Sequence, residues 1–109
     1  MPTVTVHFDP GVASVADGMA GFTAELAKLI ESRLSVGRDK IQIMPVALAG
    51  PPIGRAVAIE LKARDTAARD DALLAAFVDA VDVLSREKLG VICRIRYLRT
   101  AENSIVAAN

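Results

Sequence analysis

A proline in second position is chemically silent while a methionine precedes it, because its nitrogen is then an amide. Removing Met1 turns the Pro2 nitrogen into a secondary amine, which accepts a proton when neutral and lacks the flexible arm of a lysine. The same proline has a purely structural use. It opens the alternating segment Thr3-Val4-Thr5-Val6-His7-Phe8, and Pro is tolerated as the first residue of a strand, where its missing N–H breaks no ladder bond. The cations worth noting come in pairs. Arg94 and Arg96 are spaced by two, as are Lys62 and Arg64, with Glu60 two residues earlier, and Arg38 stands apart. A spacing of two places both members on one face of a strand. A planar guanidinium there can grip a carboxylate through two parallel hydrogen bonds. Its commoner fate is solvation or incidental pairing, for which Glu60 is available. His7 is the only histidine, and with a single distant Cys it forms no metal constellation. It is expected to be a polar residue lining a channel.

The elements that must position these groups fit into one domain spanning 1–109. A chain this short buries only about 60–70% of its unfolded surface, so association with further copies would help it. Lys plus Arg and Asp plus Glu are equal at 13 each. That balance leaves no basic footprint for nucleic acid or an anionic membrane. Cys93, the only cysteine, has apolar neighbours and reads as a buried, inert thiol. No basic segment followed by a long apolar run opens the chain, and charges interrupt every hydrophobic run before membrane-spanning length. The expectation is a soluble cytoplasmic protein.

Along the chain, Val4, Val6 and Phe8 oppose Thr3, Thr5 and His7, the period of a half-buried strand. After Asp9-Pro10-Gly11 and a loop with Ser14 and Asp17, the spacing of Met19, Phe22, Leu26, Leu29, Ile30 and Leu34 predicts an amphipathic helix stopped by Gly37. A short strand follows over Lys40 to Met44, then a breaker-rich loop from Pro45 to Gly54. Arg55 to Arg64 alternate as a third strand. Asp65 or Thr66 is expected to cap a second helix carrying Leu73, Phe77, Val81 and Leu84, which Gly90 closes. Val91 to Leu98 form the last strand, with Tyr97 turned inward for packing, and a tail holds the apolar patch Ile105-Val106. The two halves repeat one plan, a first β-α-β over about 2–47 and a second over about 55–98, followed by the tail 99–109. This is a two-layer α/β (α+β) domain, a four-stranded sheet with two helices on one face. Periodicity leaves open a duplicated parallel β-α-β pair or a ferredoxin-like split arrangement.

Met-Pro followed by an alternating strand, the duplicated β-α-β plan and the Gly/Pro loop between the halves together resemble the tautomerase superfamily. The resemblance is to its macrophage migration inhibitory factor and 5-carboxymethyl-2-hydroxymuconate isomerase groups. It covers nearly the whole chain as architecture, and Pro2 is its one signature residue. The resemblance implies a homotrimer with sites between subunits, no metal or organic cofactor, and a keto–enol isomerase in which Pro2 carries the proton. It places Arg94, Arg96, Arg64, Lys62 and Arg38 as candidate binders of a small-molecule carboxylate or a developing enolate. The aromatic and amide residues of the inhibitory-factor group have no match beside Pro2, so a small 2-oxo or 2-hydroxy unsaturated carboxylate is expected rather than a phenylpyruvate or dopachrome. A retained Met1 would disable this chemistry. The alternative of a different class is a non-catalytic oligomeric ferredoxin-like module that binds a ligand or partner.

Overall fold

The computed structural model describes residues 2–101 and 103–108, so the expectation about Met1 lies outside the described residues. Strand β1 (Thr3–Phe8) leads to helix α1 (Ala13–Leu34), a 3-10 turn (Arg38–Lys40) and strand β2 (Gln42–Ala47). The second half repeats this order with β3 (Val57–Arg64), α2 (Asp71–Leu89) and β4 (Arg94–Thr100). The sheet runs β2-β1-β3-β4. β1 pairs in parallel with β2, β3 pairs in parallel with β4, and β1 meets β3 antiparallel. The duplicated parallel unit is therefore the arrangement adopted. The fully antiparallel ferredoxin-like alternative is not.

Both helices lie on one side of the sheet because each strand presents one apolar face. Val4 and Val6 of β1 and Val57, Ile59, Leu61 and Ala63 of β3 are all buried. They meet Val15, Met19, Phe22, Leu26, Ile30 and Leu34 of α1 and Leu74, Phe77, Val81 and Leu89 of α2 in a single core. Burying a large side chain of this kind stabilises by about 1.5–3 kcal/mol. The opposite face, with His7, Lys62, Arg94 and Arg96, is open.

Several boundaries differ from the sequence expectation, each for a local reason. Helix α1 starts at Ala13, well before Met19, because Val15 already points into the core. It ends at Ser35 in a left-handed conformation (φ 53°), not at Gly37, which instead precedes the 3-10 turn. Helix α2 is capped by Asp70, whose carboxylate accepts the Leu73 N–H at 2.8 Å. Asp65, one of the two expected caps, pairs with Arg99 at 2.7 Å instead. Gly90 does close α2, left-handed at φ 68°, with its N–H donating to the Arg86 carbonyl. Strand β2 begins at Gln42 and continues through Pro45 to Ala47, into what the sequence marks as loop. The amides of Gln42 and Leu48 donate to the Pro2 and Phe8 carbonyls, so the alternation turns the Pro45 nitrogen to the outer edge, where no partner is needed. β3 begins at Val57, and β4 at Arg94 with Val91 and Cys93 in the connection before it.

The helices touch closely where α1 carries Gly18. A Cβ at that position would lie 1.9 Å from the Lys88 carbonyl oxygen, and the Ser14 hydroxyl nearby donates to the Leu89 carbonyl at 2.8 Å. Gly21, one turn on, has nothing within 4 Å of its missing Cβ. The two glycines should respond oppositely to alanine. Gly18→Ala is expected to destabilise by about 1–3 kcal/mol or more through overpacking, and Gly21→Ala to stabilise by about 0.4–1 kcal/mol through lost unfolded-state freedom. Urea unfolding of both variants checks the signs.

Candidate active site

Pro2 lies at the open end of β1 and is buried. Its carbonyl accepts the Gln42 N–H at 3.1 Å. In an extended residue the nitrogen and carbonyl share a side, so the Pro2 nitrogen faces β2 and the Arg38–Lys40 turn before it. On the other flank Thr3 pairs with Lys62. One further step of that antiparallel register sets Pro2 opposite Ala63, next to Arg64. The Nε of Arg64 is buried with no hydrogen-bond partner among the described residues. The end of β3 thus brings a buried guanidinium nitrogen with an unused donor to the Pro2 end of the sheet.

Arg69 belongs to the same end, and sequence reasoning missed it. From the loop between β3 and α2 its guanidinium donates to the Arg64 carbonyl at 2.9 Å and to the Leu34 carbonyl at 3.5 Å. It therefore ties the last turn of α1 to the end of β3. No periodicity marks a loop arginine, so only the fold could have identified it. Arg38 is present at this end but engaged, with its Nε donating to Glu31 at 2.9 Å. Lys62 is likewise paired, with Glu60 at 3.3 Å.

Within one protomer Arg94 and Arg96 lie away from Pro2. Arg94 pairs with Ala58, which pairs with His7, and Arg96 pairs with Glu60, which pairs with Thr5. Arg94 is thus two strands across from β1 and five residue steps from Pro2, about 17 Å along the strand at ~3.3 Å per residue. Arg96 is two strands across and three steps away, about 10 Å along. The protomer brings Arg64, Arg38 and Arg69 to the Pro2 end. It gathers Arg94, Arg96 and His7 around a depression of about 310 Å³ on the open sheet face.

The two remaining polar candidates are structural. Tyr97 packs edge-on against Phe77 with ring centroids 6.1 Å apart, matching the expected inward packing. Cys93 is buried, and that burial pushes its thiol above the ordinary value of 9.0, with a Ser85 hydrogen bond opposing. The described residues contain no group of three His, Cys, Asp or Glu side chains able to hold a metal, and no helix long and apolar enough to cross a membrane.

No family model matches the sequence, and no curated protein matches it significantly. Solved structures do match. Pt0534 inactivated by 2-oxo-3-pentynoate superposes with a TM-score of 0.76 at 15% identity, covering 97% of this chain and 91% of that one. A fused 4-OT wild-type symmetric trimer gives 0.71 at 20% identity, over 91% and 87% of the two chains. The macrophage migration inhibitory factor-like protein of Entamoeba histolytica gives 0.71 at 12% identity, over 98% and 95%. The chain has the α+β fold of these tautomerase-superfamily structures, as the resemblance in the sequence implied.

Burial also pushes the Tyr97 hydroxyl above its ordinary value of 10.0. Raised folded values for two acids mean that the unfolded chain ionises first as pH rises. Their contribution is fully present below about pH 9 and is lost as pH climbs through the folded values, each ionisation changing stability by up to about 1.4 kcal/mol per pH unit. The urea midpoint should therefore fall above about pH 9, and less steeply in Tyr97→Phe.

Proposed function

We propose that this chain is a cofactor-independent tautomerase or isomerase. It acts on a small 2-oxo or 2-hydroxy unsaturated carboxylate, with Pro2 as the proton carrier once Met1 is removed. The observation that carries this reading is the setting of Pro2, buried at the end of β1 with Arg64 one register step away. That Pt0534, of like fold, is inactivated by 2-oxo-3-pentynoate, a small unsaturated 2-oxo acid, supports the substrate class.

The chemistry follows from the surroundings. Desolvation and neighbouring guanidinium groups both disfavour a protonated amine, so a freed Pro2 nitrogen is held in its basic form. It withdraws a proton from carbon or from the enol hydroxyl and returns it at the other end of the conjugated system. The negative charge that develops on the substrate oxygen is met by Arg64, whose Nε has no other partner among the described residues. Arg69 holds the Arg64 backbone rather than the substrate, and Arg38, already neutralised by Glu31, contributes less. A homotrimer is proposed with this site, supported by the symmetric trimer among the structures of like fold. In it the tail with Ile105 and Val106, which is exposed in the protomer, is covered by a neighbour.

The assay is ketonisation of a 2-hydroxymuconate-type acid by protein whose intact mass confirms loss of Met1. Pro2→Ala should lower kcat by about 10²–10⁴-fold. Arg64→Ala should raise KM and also lower kcat if it meets the enolate oxygen, and Arg64→Lys should rescue little, since a point charge replaces a fork. Absence of turnover by protein with a free Pro2, on any such acid, would sink the enzyme reading. Light scattering should give three times the 11.5 kDa of the chain, and a monomer at micromolar concentration would remove the trimer.

A further inference from the structure

We infer that the outer side of the helix layer is a weak contact surface for a second copy of this chain, the two copies pairing antiparallel about a two-fold axis. A groove of about 490 Å³ runs between α1 and α2. The neighbouring Leu26, Ile30, Phe77 and Val81 point into the core, so the groove opens away from the sheet. An assembly made through the open sheet face or the sheet edges therefore leaves it free. Its floor is Leu29, Ala80 and Leu84, each half-buried, and Val83 stands beside them 56% exposed. Among the exposed large apolar residues Val83 alone belongs to a helix. The middle of the groove is thus apolar.

The two ends carry opposite charges that nothing in the protomer answers. α1 and α2 run antiparallel, with the first half of α1 meeting the end of α2 where a Cβ on Gly18 would strike the Lys88 carbonyl. Glu87 therefore stands at one end of the groove, and Arg33, fifteen residues on from Gly18 and about 22 Å along the axis, at the other. Among the described residues neither forms an ion pair, whereas Lys28 and Glu25 between them neutralise each other at 3.2 Å. Nor does its own helix favour Glu87, because a carboxylate in the last turn meets the negative end of the macrodipole. A groove with a negative end, an apolar middle and a positive end is complementary to itself. Turned by a two-fold, Arg33 of each copy meets Glu87 of the other, and the two Val83 side chains approach near the axis. An unrelated partner would need this pattern by coincidence, and a second copy carries it by construction. Nine residues line the groove, against about 20–30 per side in a stable interface, so pairing is expected only above about 100 μM. The contact involves no proton transfer and stands whether or not Pro2 is catalytic.

The test is sedimentation equilibrium of the purified full-length protein over a concentration series at low ionic strength. Four samples are compared: wild type, Arg33→Glu, Glu87→Lys and an equimolar mixture of the two variants. The average mass of the wild type should climb above that of the assembly formed at micromolar concentration, and about 0.5 M salt should suppress the climb by screening exposed charges. Each variant alone sets like charges against each other at both ends and should pair about tenfold or more weakly. In the mixture every contact again joins opposite charges, so the climb should return. That return also shows that both variants are folded. Dissociation of a trimer held by the sheet would appear equally in all four samples and cannot mimic the difference. Val83→Gln should weaken pairing while keeping its salt dependence. A wild-type mass that does not rise with concentration, or a mixture no heavier than its two components, would overturn the inference and leave the groove to a helix of another protein.

Discussion

β1 is hydrogen-bonded on both sides, and its register against two neighbours decides where every polar group of the molecule ends up. Thr3 stands opposite Gln42 on one flank and Lys62 on the other. Because strand side chains alternate, a slip of one residue would carry Val4 and Val6 to solvent and His7 into the core. The cost of exposing those valines, both fully buried, pins the register. Pro2 inherits its position from that pinning. It is fixed between the beginning of β2 and the end of β3 without any side chain having to hold it.

The one-sided packing of the helices has a second consequence. Apolar residues of α1 and α2 saturate one face of the sheet, leaving the other to polar rows whose composition changes along the strands. At the Pro2 end the row ends in Arg64, and at the far end it ends in His7 and Arg94. The carboxylate of Glu60 lies between, tied to Lys62. One face thus holds two cationic zones divided by a neutral pair.

How far the sequence disclosed this depends on whether a feature is local. The alternation of Thr3 to Phe8 and of Val57 to Arg64 is local, and those strands and their buried faces were legible. The left-handed close of α2 at Gly90 was legible for the same reason, because glycine meets that conformation without strain. Pro45 misled because the rule against proline in strands depends on which side of the strand is paired, a fact of topology. Asp65 misled because two acids, Asp65 and Asp70, precede the helix, a third, Asp71, opens it, and only tertiary contacts select among them. Asp65 was drawn away by Arg99, as was Asp71, which left Asp70 to cap. That Arg94 and Arg96 share a face was readable from their spacing. Which end of β1 they adjoin was not, since it follows from the pairing of β3 with β4.

Arg69 shows how the fold reinforces the site indirectly. The last carbonyls of a helix lack intrahelical donors, and α1 ends at Ser35 in a left-handed turn that a β-carbon tolerates poorly. An arginine from the opposite half of the chain supplies a donor to the Leu34 carbonyl and, with the same guanidinium, to the Arg64 carbonyl. The end of α1 and the end of β3 are thereby held together across the two β-α-β halves. Arg64 is fixed by its backbone on one side of Pro2. The turn carrying Arg38 follows directly from the helix end that Arg69 secures on the other. The geometry around the proline is therefore a joint product of both repeats, and neither half alone could assemble it.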